Sequence, residues 1–343
     1  MAETGQHDVT GGRLEADAVT RPVNQALVQA EDSTESAVGY KVVPDDVIFA
    51  LAGRATLGRL FTVKQTRPKF GEPVSAKELR NLRVRAEKLV RRSLAETPLE
   101  GGQWQPLAVN DAGLRLDNHL VLEGVGLTGQ EISFSVFGVA GLSSALRSLE
   151  VLANRLDLTI ANIVASSQAL ASVMPYAEAI ILDIGFSGTD VCLIRDDALV
   201  GTEWTPFGGN FFTQVLAREV DIDPARANQL KHAFGRGEVD KADVHLIEGH
   251  LDGARKRWYD AVMEILARLS PDKPLPRRVY MTGGGSLLPG LDKLLRTNPV
   301  PFDSAPEVAQ LSHHSALMIK DLTQSLDYHL FTLALSLIIS LPE

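Results

Sequence analysis

The spacing of hydrophobic positions predicts a mixture of strands and helices in the first half of the chain. Strands are expected at 47–51, 59–66 and 131–140, and helices at 16–29, 75–96 and 142–156. Trp104 to Val109 and Gly113 to Leu122 also alternate, so Asn110-Asp111-Ala112 between them predicts a hairpin turn. Residues 46–158 therefore read as a compact α+β module.

The pattern changes after residue 178 to short apolar strands that end in glycine-rich turns. Strands are expected at 179–183, 191–195, 198–205 and 278–281, and helices at 210–218, 224–233, 243–269 and 289–296. Residues 323–341 are apolar nearly all round, which predicts a buried final helix.

Composition places the chain among ordinary globular proteins, with 45% hydrophobic and 22% charged residues. The net charge of −9 argues against a general binder of nucleic acids or anionic membranes. Cys192 is the only cysteine, which excludes an intramolecular disulfide and fits a reducing compartment. The N-terminus lacks the layout of a signal peptide, and the longest nearly apolar run is too short to cross a bilayer. We therefore expect a cytoplasmic protein.

The charge is distributed unevenly. Residues 47–100 hold 12 bases and 5 acids, a local charge of +7. Six of these bases lie close together on the predicted helix 75–96: Arg80, Arg83, Arg85, Lys88, Arg91 and Arg92. Two interpretations remain open, a solvated helix face and a docking face for an acidic partner.

One glycine-rich segment carries the residue types that a phosphate-binding hairpin needs. It follows the strand at 179–183 and reads Asp183-Ile184-Gly185-Phe186-Ser187-Gly188-Thr189-Asp190. Glycines let backbone N–H groups approach phosphate oxygens, and hydroxyls add donors. A carboxylate at the strand end can hold Mg²⁺ through water. The alternative is an ordinary structural hairpin turn.

Two further clusters lie where strands meet helices. Thr282-Gly283-Gly284-Gly285 could let a ring and ribose lie against the backbone, and Pro206-Phe207-Gly208-Gly209-Asn210 opens a helix followed by Thr213 and Lys231. Each cluster alone is also consistent with a flexible structural turn. Their order and spacing together are the specific signal.

In this order the clusters resemble the nucleotide-binding half of the actin/Hsp70/sugar-kinase superfamily, and within it the branch of the cell-division protein FtsA and the pilus protein PilM. The most specific stretch is 181–231, and Val279 to Gly285 resembles the adenosine motif. The resemblance implies an α/β, actin-like ATPase (ribonuclease-H-like) fold of two lobes with an inserted α+β 1C subdomain of the SHS2 type.

The resemblance also implies a division of the chain. Residues 1–45 would be a remnant of subdomain 1A, 46–158 the 1C-type insertion, and 159–178 a return helix of 1A. Residues 179–310 would form the second lobe, with subdomain 2B at about 213–274, and 311–343 a C-terminal helix returning to 1A.

The implied ligand is ATP with Mg²⁺, bound between the lobes. Asp183 would be the metal-side carboxylate, with Gly185, Ser187, Gly188 and Thr189 on the phosphates. The remaining implied nucleotide contacts are Gly208 and Gly209 at the following helix, Gly283, Gly284 and Gly285 on the adenosine side, and Asn228 and Lys231 near ribose and base.

The sequence departs from the family pattern at three places. The phosphate-1 hairpin with Asp-x-Gly-x-x-Lys is missing, and Asp8 to Gly12 has no flanking apolar strands that would form one. We interpret the front of the chain as truncated, mis-started or degenerate. Phe186 replaces the common second glycine of the phosphate loop, and Asn228 replaces a glutamate. These departures predict ATP hydrolysis that is very slow or absent.

The function implied first is an FtsA-like adaptor that links the FtsZ ring to the membrane or to other division proteins. The FtsZ C-terminal tail would bind subdomain 2B, and self-association is also implied. Such a protein binds no nucleic acid, meets the membrane only indirectly, and works at its inner face at the division site. One alternative is a PilM-like cytoplasmic scaffold of type IV pilus assembly, which grasps a partner's N-terminal peptide. Another is an active ATPase or sugar-kinase-like enzyme, for which no positioned base is visible.

Overall fold

The computed structural model describes residues 9–10, 13–14, 16–98, 102–297, 301–311 and 330–339. Its strands are β1 (Val9–Thr10), β2 (Arg13–Leu14), β3 (Asp46–Leu51), β4 (Thr56–Thr66), β5 (Trp104–Leu116), β6 (His119–Val121), β7 (Glu131–Leu142), β8 (Thr159–Ala165), β9 (Ala179–Ile184), β10 (Thr189–Arg195), β11 (Ala198–Thr205), β12 (Arg278–Thr282) and β13 (Glu307–Gln310). Its α-helices are α1 (Ala16–Val38), α2 (Ala76–Ala95), α3 (Ser143–Arg155), α4 (Ser166–Ser172), α5 (Gly209–Val220), α6 (Pro224–Gly235), α7 (Lys241–Leu269), α8 (Leu291–Thr297) and α9 (Thr332–Ile339).

The described residues form two compact units, which divide inside α4 between Ala169 and Leu170. The first unit contains an antiparallel sheet in which β7 lies between β4 and β5, and β6 pairs with the far side of β5. Helix α2 packs on this sheet through Leu82, Ala86, Val90 and Leu94, all buried in one cluster with residues of β7. The spacing of these four residues gives α2 its apolar stripe, which explains why the basic segment folds as a helix.

The ends of α2 agree with the sequence prediction of a helix at 75–96. The Ser75 side chain accepts a hydrogen bond from the Glu78 backbone N–H, so Ser75 is the N-cap, and Glu96 is the C-cap. The predicted helix is confirmed.

The predicted turn at Asn110-Asp111-Ala112 is wrong. Strand β5 continues through these residues to Leu116, with irregular pairing to β7 between Asp111 and Gly113. The chain turns later, at Asp117 and Asn118, both with positive φ. A β-bulge absorbs the extra residue inside the strand, and an Asp-Asn pair tolerates the left-handed conformation of the tight turn.

The expected return helix at 159–178 is also wrong over its first part. Residues 159–165 form β8, which pairs in parallel with β3, and only Ser166–Ser172 is helical. Thr159, Ile160, Ile163 and Val164 are β-branched, and such residues favour an extended backbone.

The front of the chain forms a hairpin where none was expected. Val9–Thr10 pairs antiparallel with Arg13–Leu14, with Val9 opposite Leu14. The prediction that this stretch lacks strands for a hairpin is therefore wrong, although it carries no Asp-x-Gly-x-x-Lys motif.

The second unit is built on a sheet in the order β13, β12, β9, β10, β11. Strands β9, β10 and β11 are antiparallel neighbours, whereas β12 pairs in parallel with both β9 and β13. One face of the sheet packs on the helices around Trp258 of α7 and Phe212 of α5, two of the largest fully buried side chains. The short apolar strands predicted from residue 179 onward are confirmed, and β13 is an addition to them.

Among the described strands, β13 lies at the edge of this sheet. The backbone N–H groups of Glu307 and Leu311 donate toward β12, so the polar groups of Val308 point outward. The Arg296 guanidinium of α8 donates to the Val308 carbonyl.

The final helix at 323–341 was expected to be buried. Residues 332–339 of it are helical as α9 but only partly buried, because Thr332, Leu335 and Ser336 are buried whereas Ala334 and Ile338 are exposed. The remaining residues of the predicted helix that precede Leu330 or follow Ile339 lie outside the described residues. Within the described part of the chain, no helix is long and apolar enough to cross a membrane.

Candidate functional site

Three of the glycine clusters meet at one end of the second unit's sheet. The β9–β10 hairpin holds Gly185 to Gly188 in its loop. Strand β12 pairs with β9 so that Thr282 lies opposite Asp183, and the turn at Gly283 therefore follows at the same end. The loop that begins α5 reaches this end through backbone hydrogen bonds to the hairpin. The structure therefore brings the three glycine clusters together at one end of the sheet.

The hairpin loop and the start of α5 interlock. The Gly209 and Asn210 backbone N–H groups donate to the carbonyls of Gly185 and Phe186, each at 2.8 Å. A Cβ on Gly208 would overlap the Gly188 backbone nitrogen, and a Cβ on Gly188 would overlap the Thr205 carbonyl oxygen. Close backbone contact therefore requires Gly188 and Gly208 to be glycines. The first amides of α5, which could cradle an anion, are used by the hairpin.

The Thr189 hydroxyl ties three elements together. It donates to the Phe207 carbonyl at 2.7 Å and accepts from the Trp258 indole N–H at 3.0 Å. Thr189 is fully buried. This hydroxyl, predicted to contact phosphate, instead links the hairpin to α7 and to the loop before α5.

Lys231 of α6 is a buried clamp on the start of α5. Its ammonium group donates to the Gly209 carbonyl at 2.9 Å, the Thr213 hydroxyl at 2.8 Å and the Asn228 side-chain oxygen at 2.9 Å. These three acceptors match the three ammonium protons. Burial lowers the pKa of Lys231 to about 8, because desolvation disfavours its charge. Lys231 and Asn228, expected near ribose and base, contact the protein here.

Replacing this clamp should change how stability depends on pH. The folded-state pKa of Lys231 lies below the unfolded value of 10.5, so the unfolded chain binds more protons in this window and the wild type gains stability as pH rises from 8 to 10.5. The Lys231→Met variant lacks this gain. We expect the wild type to gain up to about 3 kcal/mol relative to Lys231→Met across the window. Urea unfolding of both proteins at several pH values measures the difference in the free energy of unfolding. A difference that stays constant with pH would contradict the lowered pKa of Lys231.

The glycine turn after β12 packs directly against β9. Gly283 has a φ of +80°, and a Cβ on it would lie 2.6 Å from both the Asp183 Oδ1 and the Ile184 carbonyl oxygen. A Cβ on Gly285 would lie 2.5 Å from the Ile184 Cγ2 atom. By contrast, nothing lies within 4 Å of a Cβ on Gly284. Packing therefore explains two of the three glycines, whereas Gly284 is open.

Asp183 stands at the end of β9 beside this turn. No hydrogen bond or ion pair to its carboxylate occurs among the described residues, and burial raises its pKa to about 6. Asp190 lies directly opposite on β10, on the same face of the sheet. A cation would offset the cost of a half-buried, unpartnered carboxylate, so Asp183 fits a Mg²⁺ held through water. In the described part of the chain, no group of three potential metal-ligating side chains accompanies it.

Some predicted residues keep polar groups available. Ser187 is exposed, and its hydroxyl has no partner among the described side chains. Phe186 is half exposed at the loop tip. With Asp183 and the open backbone at Gly284, this leaves a carboxylate, a hydroxyl and a glycine surface near one sheet end. The arrangement can bind and orient a ligand, and it contains no evident acid–base pair for chemistry.

Sequence reasoning did not find two parts of this site. Trp258 is fully buried in the core, and its N–H also orients Thr189. Asp190 was seen only as the end of the motif, although the strand register places it across from Asp183. The available signal was the spacing of the two acids: an even number of residues between them places them opposite each other across a short hairpin. Cys192 is buried, and that burial raises the pKa of its thiol.

The fold is that of the actin-like ATPases, as the resemblance implied. No family model and no curated protein sequence matches the chain. Among solved structures, a chain of the "PilM-PilN type IV pilus biogenesis complex" is similar with a TM-score of 0.67 at 18% identity, over 99% of this chain and 90% of that one. The fold assignment rests on this similarity, which does not single out FtsA.

Two partial similarities accompany it. The ethanolamine utilization protein EutJ from Carboxydothermus hydrogenoformans aligns with a TM-score of 0.41 at 19% identity, over 56% of this chain and 60% of that one. MreB5 of Spiroplasma citri bound to AMPPNP aligns with a TM-score of 0.41 at 16% identity, over 57% and 64%.

Proposed function

We propose that this protein is a PilM-like scaffold of type IV pilus assembly, which works at the cytoplasmic face of the membrane and holds the N-terminal peptide of a partner. The observation that carries the proposal is the shared fold over 99% of the chain with a solved chain of the PilM-PilN complex. That similarity includes the α+β stretch between β3 and α3 as well as the glycine clusters. A scaffold also agrees with a site that has ligand-binding groups but no evident catalytic pair.

The division adaptor is the second candidate. It is supported by the motif resemblance to FtsA over 181–231, and its partner would be the FtsZ C-terminal tail. The same motif is shared by the FtsA and PilM branch, so it favours the pilus scaffold equally. The fold similarity favours the pilus scaffold alone.

Peptide binding separates the two candidates. Immobilised peptides from the PilN-type protein and from the FtsZ tail of the same genome are presented to the purified protein, each beside a scrambled version. The pilus proposal predicts saturable binding to the PilN-type N-terminus and none to the FtsZ tail. Selective binding to the FtsZ tail would replace it with the division adaptor, and binding to neither would reject both.

We further propose that the scaffold binds ATP with Mg²⁺ at the sheet end of the second unit. Asp183 would hold the metal through water, and Ser187 would contact phosphate, whereas the Gly185 N–H already donates to the Gly188 carbonyl at 2.9 Å and Gly188 is buried. Gly283 to Gly285 would support adenosine. The other predicted residues would support this site from the protein side, because their polar groups or close contacts are already used within the protein. They are Thr189, Gly208, Gly209, Asn228 and Lys231.

Hydrolysis by this site should be very slow. Phosphoryl transfer needs positioned donors on both sides of the transferred group, and the sequence lacks the Asp-x-Gly-x-x-Lys lysine. Losing one such donor commonly costs about a hundredfold to a thousandfold in rate. Phosphate release is measured with ATP and Mg²⁺, beside an Asp183→Ala control. Turnover near one per second, abolished in the control, would make the protein an enzyme.

A further inference from the structure

The outward face of α2 carries a row of cations. Five exposed residues follow one another at intervals of three or four, so they share one side of the helix. They are Lys77, Arg80, Val84, Lys88 and Arg91. The helix contains seven bases and two acids, and neither acid belongs to this row. The row is opposite the buried stripe that packs on the sheet.

The cations of this row are not neutralised by the protein. Among the described residues, Lys77, Arg80, Lys88 and Arg91 have no carboxylate partner. Exposed arginines elsewhere on the helix are different, since Arg83 pairs with Glu87 and Arg92 with Glu96. Positive charge is therefore concentrated on the outward row, against an overall charge of −9.

The sides of α2 are closed against the sheet. Arg83 contacts Asp111 of β5 at 3.3 Å, and Arg85 donates to the Gln65 side chain of β4 at 2.9 Å. These contacts connect the helix to a neighbouring strand on each of its two sides. The basic row therefore stands on a convex ridge with closed flanks, which suits a broad anionic surface better than a single extended peptide.

Apolar side chains are exposed at the N-terminal end of the same helix. Phe70, in the loop before α2, is 64% exposed, and Leu122 and Val125, in the loop after β6, are exposed as well. The two loops are joined where the Val74 and Gly126 backbone N–H groups donate to the carbonyls of Leu127 and Val74. We define Phe70, Leu122, Val125 and Leu127 as the apolar tip. Apolar residues beside a basic helix face are typical of proteins that lie at a lipid interface.

We propose that the outward row of α2 and the apolar tip form a contact site for an anionic phospholipid surface. Lys77, Arg80, Lys88 and Arg91 meet the headgroups, and the apolar tip enters the boundary between headgroups and acyl chains. The apolar tip favours lipid over nucleic acid, and the closed flanks favour lipid over an acidic peptide. This site goes beyond the proposed scaffold function, because it predicts direct membrane contact where the whole-chain charge predicts none.

Vesicle flotation tests the site with the full chain. Vesicles of phosphatidylcholine alone are compared with vesicles containing about 30% phosphatidylglycerol, at low and at high salt. The key variant is Arg80→Glu/Lys88→Glu/Arg91→Glu. Its matched control is Arg226→Glu/Lys273→Glu/Lys293→Glu, which makes the same charge change at exposed positions of the second unit. A third variant, Phe70→Ser/Leu122→Ser, tests the apolar tip. Thermal unfolding verifies that each variant folds.

We expect the wild type and the matched control to float with the anionic vesicles at low salt and to be released at high salt. The key variant should lose at least tenfold in bound fraction, and the tip variant should lose binding at all salt concentrations. Failure of the wild type to float, or equal flotation of the key variant, would overturn the proposal. Capture of the wild type by immobilised polyglutamate but not by vesicles would assign the face to an acidic protein instead.

Discussion

Replacing Gly283 with valine is expected to destabilise the second unit strongly, whereas the same replacement at the adjacent Gly284 should leave the fold intact. Gly283 has a φ of +80°, which a β-branched residue rarely adopts, and its new Cβ would lie 2.6 Å from two oxygen atoms of β9. Backbone strain of this kind costs roughly 1–3 kcal/mol before any clash is counted. We therefore expect a loss of about 3 kcal/mol or more for Gly283→Val. Urea unfolding of the two variants measures it.

The Gly284→Val variant separates a ligand role from a packing role. Its Cβ meets nothing within 4 Å, so we expect the fold to tolerate it, and a loss of ATP binding by the folded variant would point to a ligand role. If adenosine lies on this turn, a branched side chain here should weaken ATP binding by about an order of magnitude or more. Binding of a fluorescent ATP analogue is the measurement. Unchanged affinity would show that the turn is not the adenosine site, and equal stability of the two variants would refute the strain argument.

The Asp183→Asn variant is expected to be more stable than the wild type at neutral pH. Burial raises the folded-state pKa of Asp183 to about 6 from 3.8, so the folded chain binds more protons between these values. The wild type therefore loses stability as pH rises from about 4 to 6, and the full cost remains above pH 6. Asparagine carries no such cost. We expect it to add up to about 3 kcal/mol at pH 8 and nothing near pH 4.

The reason for keeping such a costly aspartate is tested by adding ligand. ATP with Mg²⁺ should raise the melting temperature of the wild type, because a cation near the carboxylate removes the cost and binding stabilises the folded state. The Asp183→Asn variant should show little or no rise. A stability difference that does not depend on pH would contradict the burial of a charged group, and an equal ligand response would remove Asp183 from the metal site.

Strong local patterns are what made much of the fold predictable. The segment 75–96 combines an N-cap serine with four regularly spaced apolar residues, and both signals point to one helix. The strands from Ala179 onward are short, apolar and bounded by glycines or acids. Prediction failed where local signals and tertiary packing disagree. Asn110-Asp111-Ala112 has turn composition, yet pairing with β7 keeps it extended as a bulge, and the turn moves to Asp117 and Asn118.

The candidate site was predictable as a set of segments but not as a set of contacts. Glycine-rich clusters at strand ends indicated which loops would meet. A sequence does not show whether a hydroxyl or an ammonium group points to a ligand or back into the protein. Thr189 and Lys231 have the right residue types for phosphate and ribose, and both are bonded to backbone carbonyls and neighbouring side chains. Most of these partners are distant in sequence: Phe207 and Trp258 lie 18 and 69 residues from Thr189, and Gly209 lies 22 residues from Lys231.

The contact between Arg296 and the β13 carbonyl bears on how the protein behaves at high local concentration. An uncovered sheet edge is a template on which a strand of another molecule can add, and repeated addition leads to aggregates. Strand β13 has only four residues, and its outward Val308 carbonyl is already bound by a charged side chain that a newcomer would have to displace. Such an edge disfavours the addition of a strand from a second copy, even where copies of the chain meet at high concentration.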